Sequence, residues 1–124
     1  MSGPGLSQRI EWIEAGYEYL LAYAAQGRRD DSGSEVRRML SQMQSALDGL
    51  GEEVTRTFAG RAKESAAFLE AVGHDARVAS AAIALVLDRS AISSLLIDNL
   101  NASVHLRALL TDLFLIDQAL KAAE

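Results

Sequence analysis

Cysteine is absent from this chain of 124 residues, proline occurs once, at Pro4, and aromatic residues make up only 6%. Without thiols there are no disulfides, no thiolate metal sites, no iron–sulfur ligands and no cysteine nucleophile. With proline confined to the N-terminus, no helix further along is broken by one. Runs of alternating Val, Ile and Thr that mark strands are missing. The longest apolar run, Ala76 to Leu87, contains Arg77 and falls well short of the ~20 residues that span a bilayer. Met1 to Leu6 lacks the basic and apolar order of a secretory signal. The expectation is a cytoplasmic protein with no membrane contact.

Basic charge is also scarce. Twelve Lys and Arg stand against 17 Asp and Glu, for a net charge of −5. Nucleic-acid affinity comes largely from neutralising phosphates, so this balance opposes such a partner. The pairs Arg28-Arg29 and Arg37-Arg38 have Asp30, Asp31 and Glu35 beside them. Ten arginines against two lysines fit a GC-rich, bacterial-type coding sequence.

Helix formers fill the space these absences leave. Ala and Leu supply 39 residues, and both lose little on entering a helix. The length suits one domain, residues 1–124, with a core that needs no staple. The fold class read from this is all-α: an antiparallel bundle of four to five helices, with residues 1–5 disordered and 28–33 a surface loop.

A first helix runs from about Ser7 to Gln26, its apolar stripe being Leu6, Ile10, Ile13, Tyr17, Leu20 and Ala24. Glu11, Glu14 and Glu18 share its polar face, and Gly27 is a natural stop. Ser32 and Glu35 fit a capping box for a second helix. That helix carries Val36, Leu40, Met43 and Leu47 in a phase that continues through Leu50 and Val54 despite Gly49 and Gly51. Either the glycines turn the chain or one kinked helix runs from about Ser34 to Val72; the unbroken phase favours the kinked helix. Small residues from Ala59 to Ala71 and from Ala76 to Ala84 predict a close antiparallel pair about a Gly73-His74-Asp75 turn, with Asp75 as an N-cap. Asp88, Arg89 and Ser90 interrupt the next apolar run and cap a new helix, unless the C-terminal element continues from Asp75.

The strongest pattern lies in the last third. Ile92, Leu95, Asn99, Ala102, Leu106, Leu109, Leu113, Ile116 and Leu120 recur in three- and four-residue steps, a heptad seam holding one amide. A continuous helix from Ser90 to Ala122 would be ~50 Å long at 1.5 Å per residue. A monomer of this size is only about 35 Å across. Leu96, Leu100, Leu110 and Phe114 form a second stripe, and Ile97, Val104 and Leu115 a third. A homodimer packed through this helix accounts for that surplus. Its interface would comprise Ile92, Leu95, Asn99, Leu106, Leu109, Leu113, Ile116 and Leu120. Asn99 would then fix register across the dimer axis or, alternatively, contact a ligand.

Chemistry-bearing residues are few. His105 shares a helical face with Asp98, Asn101 and Asp112, where a carboxylate could orient an imidazole. No His-x-x-x-His or Glu-x-x-His spacing accompanies it, so no metal site and no cofactor are predicted. Histidine-phosphotransfer modules have lysine and glycine after their histidine, and His105-Leu106-Arg107-Ala108-Leu109 has neither. His74 reads as a loop residue. Trp12, Tyr17, Tyr19 and Tyr23 concentrate the aromatics on the first helix, where such side chains serve packing, interfaces or small-ligand pockets. Nucleophile-elbow and phosphate-loop signatures are absent. The expected function is a non-catalytic helical protein–protein interaction module: an adaptor, assembly factor or small regulator, acting as a homodimer. The alternative is a small-molecule or metal-binding bundle with a pocket at the dimer seam. Candidate ligand or partner contacts are Trp12, Tyr19, Tyr23, Asp98, Asn101, His105 and Asp112.

Overall fold

The computed structural model describes residues 5–58, 65–103 and 105–122. Residues 1–4 of the segment 1–5 expected to be disordered, the small residues Ala59, Gly60 and Ala62, and Val104 of the third stripe lie outside them, while Gly5 is the N-cap of the first helix. The described residues form six helices and no strand: α1 (Leu6–Ala24), α2 (Val36–Leu47), α3 (Leu50–Thr57), α4 (Ala66–Leu87), α5 (Ser94–Ala102) and α6 (His105–Ala122). They make an all-α bundle of four legs, namely α1, α2 with α3, α4, and α5 with α6. Each of α2, α3, α5 and α6 packs against both α1 and α4. Two of the legs are broken, which is why the described residues of a four-legged bundle form six helices.

The break in the second leg decides between the two readings of Gly49 and Gly51. Gly49 takes a left-handed conformation (φ 75°) that ends α2, so no kinked continuous helix forms. The buried Arg9 of α1 reaches this end, its Nη1 donating to the carbonyls of Ala46 (3.1 Å) and Asp48. A cation there satisfies carbonyls the helix leaves open and suits the negative end of its dipole. The phase nonetheless carries over: Val36, Leu40, Met43, Leu47, Leu50 and Val54 are all buried.

Gly51 has a different task. A Cβ placed on it would lie 3.0 Å from Gly73 Cα, and one on Gly73 would lie 3.2 Å from Gly51 Cα. The axes of α3 and α4 therefore cross backbone to backbone. This corrects the predicted Gly73-His74-Asp75 turn: α4 runs unbroken through it, and Asp75 is an interior residue, not a cap. No antiparallel pair is made there within α4.

The capping box is also corrected. Ser32 is exposed, and Glu35 pairs with Arg38 (2.7 Å). At the other predicted boundary the chain does leave the helix after Leu87, but the cap of the next one is Ser93, whose Oγ accepts from Leu96 N–H (3.0 Å).

The last leg breaks at Ser103, where the sequence predicts continuity. Ser103 Oγ donates to Leu100 C=O (2.7 Å), competing with helical continuation. The buried stripe changes phase across this point, from Ile97 and Leu100 on α5 to Leu106, Leu109, Leu110, Leu113 and Ile116 on α6. Of the heptad seam, Ile92, Leu106, Leu109, Leu113 and Ile116 are buried within the single chain, and Leu120 is half-buried. Leu95, Asn99 and Ala102 are exposed.

Polar bonds lace one end of the bundle. Buried Tyr23 donates its hydroxyl proton to Ile92 C=O (2.7 Å), and buried Ser94 donates to Tyr23 C=O (2.7 Å). Ser94 also exchanges two bonds with Arg28, whose guanidinium lies 5.5 Å from the Tyr23 ring centre. Asp31 accepts from Ile92 N–H (2.9 Å) and Arg37 Nε (2.7 Å). The rest of that guanidinium donates to Leu87 C=O (3.0 Å) and Arg89 C=O (2.7 Å). Two loops, 25–35 and 88–93, are held together in this way.

Candidate functional site: a cleft between α1, α5 and α6

The residues nominated from sequence do not share one straight face, because the break at Ser103 divides them between two helices. Asp98 and Asn101 stay together on α5. They line a cleft of about 340 Å³ with Tyr17, Leu21, Ala24 and Ala25 of α1, Ala102 of α5 and Arg107 of α6. Asn101 Nδ2 donates to Leu20 C=O (3.2 Å) and so ties α5 to α1 beside the cleft. The Asn101 Oδ1 is buried against protein, with no hydrogen-bond partner among the described residues.

Tyr17, one of the four aromatics of α1, reaches the cleft, whereas Tyr19 and Tyr23 do not line it. Tyr23 is a core residue stacked on Tyr19 with ring centres 6.2 Å apart. Tyr19 accepts from Glu35 N–H (3.1 Å), which holds the loop before α2. Trp12 is half-buried against the core. All three thus also make contacts within the fold.

His105 opens α6 half-buried and does not line the cleft. His74 is exposed in mid-α4. Among the described residues no group of three or more His, Asp or Glu could hold a metal ion. Arg107, Leu21 and Ala25 are the cleft residues that sequence reasoning missed. Arg107 drew notice only for its offset from His105, and nothing in the periodicity signals that a break four residues earlier turns it toward α1.

Asp112 lies two turns along α6 and outside the cleft. Burial pushes its carboxyl above the ordinary range, and the Asp75 carboxylate on α4 adds to the effect. A folded-state value above the unfolded one means that its favourable contribution is full below the unfolded value of ~3.9 and is lost as pH rises through the folded one. Asp112→Asn should therefore stabilise the protein at neutral pH, on the order of 0.5 kcal/mol. Urea unfolding at two pH values checks this: the gain should shrink in acid, and a loss at neutral pH would contradict the assignment.

A larger groove of about 600 Å³ overlies the Gly51–Gly73 contact, walled in part by Glu52, Arg56, Glu70 and Arg77. It gathers none of the nominated residues. No helix among the described residues is long and apolar enough to cross a membrane. Compared with family models, curated proteins and solved structures, the chain matches none of them.

Proposed function

We propose that this protein is a non-catalytic, cytoplasmic helical interaction module that acts as a homodimer, with the outer face of α5 as its contact surface. One observation supports this. Leu95, Asn99 and Ala102, spaced i, i+4, i+7, are the part of the heptad seam that the chain does not bury. Leu95 is 70% exposed, and Leu21, which shares the cleft with Ala102, is 48% exposed. A stripe of this kind on the outside of a closed bundle suits a helical partner, and Asn99 in its middle suits a register-setting amide pair. Ile92, Leu106, Leu109, Leu113 and Ile116 of the seam are buried within the single chain, so the proposed interface is drawn on the exposed three.

Light scattering on a sizing column tests the proposal. A mass of twice 13.3 kDa is expected. Leu95→Arg should raise the dimer dissociation constant at least about tenfold while leaving the fold intact. A wild-type monomer at high micromolar concentration would refute the homodimer.

The second reading, a small-molecule or metal-binding bundle, draws its support from the cleft alone, an open groove of about 340 Å³ lined by both apolar and polar side chains.

A further inference from the structure

Two opposite charges stand in the same cleft without meeting. Asp98 and Arg107 both line it, and neither makes an ion pair among the described residues. By contrast, Arg37, Arg38, Arg56 and Arg89 each pair with a carboxylate. The break at Ser103 puts Asp98 on α5 and Arg107 at the start of α6. Asp98 is the middle residue of the nine-residue α5 and presents its carboxylate on the exposed side of that helix. Arg107 is in the first turn of the 18-residue α6, where the dipole is positive and anions are favoured. The same cleft is lined by the apolar Leu21 and Ala102 and by Tyr17.

From this arrangement we infer that the cleft binds a small zwitterion, an α-amino acid with an apolar side chain. The ammonium group goes to Asp98, the carboxylate to Arg107, and the side chain lies against Leu21 and Ala102. An Arg fork suits a carboxylate, and a volume of about 340 Å³ admits a ligand of this size. The inference rests on the second reading above, that the cleft takes a small ligand at all.

Calorimetric titration with four probes tests it: L-leucine, N-acetyl-L-leucine without the cation, L-leucinamide without the carboxylate, and uncharged indole. The expected result is leucine binding with Kd of about 1 mM or tighter, and each blocked analogue weaker by at least about tenfold. Asp98→Asn should weaken leucine and leave N-acetyl-leucine unchanged; Arg107→Gln should weaken leucine and leave leucinamide unchanged. Both side chains are exposed, so neither change threatens folding. Blocked analogues that bind as well as leucine would overturn the zwitterion inference. So would indole binding that Leu21→Trp removes, without any leucine binding, and in that case the ligand cleft would survive. Silence from all four probes would overturn both.

Discussion

Replacing Gly73 with Val should destabilise the protein by about 3 kcal/mol, the upper end of what overpacking costs. The position is helical on both sides, and Val and Gly differ little in helix propensity, so the effect isolates packing. An added Cβ would meet the Cα of Gly51 at 3.2 Å, and backbone cannot rotate away as a side chain can. Relief requires α3 to move off α4, which would expose Leu50 and Val54, both fully buried. Gly51→Val should show a similar loss. The double variant should lose less than the sum of the two, because one displacement relieves both clashes. Urea denaturation of the three variants measures this. Full additivity, or a Gly73→Val protein as stable as the parent, would mean that the two backbones do not touch.

Asp31→Ala should cost about 2–3 kcal/mol, the range for hydrogen bonds to a charged group whose partners are left behind. Its side chain is 18% exposed, and its removal strands the Ile92 N–H and part of the Arg37 guanidinium. The pH dependence follows from the same bonds. Arg37, and then Ile92 N–H, hold the Asp31 carboxyl below its ordinary range. A value lower in the folded state than in the unfolded one gives stability that is full above ~3.9 and is lost as pH falls through the folded value. The gap between the parent and Asp31→Asn should thus be widest near neutral pH and close in strong acid. A gap independent of pH would mean that the carboxylate charge plays no part. Hydrogen exchange supplies a second readout, since amides of α5 should open more readily once the loop ahead of it is released.

How much of this was legible in the sequence varies from residue to residue. The helical class followed from composition, and the apolar phase from Val36 to Val54 marked residues that are all buried. The same phase misled about continuity, because a left-handed glycine with an arginine cap can turn the chain without losing register. That cap comes from Arg9, 37 residues from Ala46, and periodicity carries no trace of such a bond. Gly73-His74-Asp75 has the composition of a turn, yet α4 continues because the glycine is needed by a neighbouring helix. At the cleft, Asp98 and Asn101 were found from their shared face with His105. Their partners Tyr17 and Arg107 arrive through the packing of α1 and the slip at Ser103, a serine that helices tolerate as readily as they end on it.

The bond from Ile92 to Asp31 joins residues 61 apart, and with it the chain becomes a ring enclosing α2, α3 and α4. Ring closure in a flexible chain depends only on the logarithm of length, so doubling the enclosed segment adds about 0.6 kcal/mol. The strength of the fastening is therefore set where the ring closes, by Asp31, Arg37, Tyr23 and Ser94, and hardly at all by how much chain it encircles. The legs could grow or shrink by whole turns and the same few residues would still shut the ring.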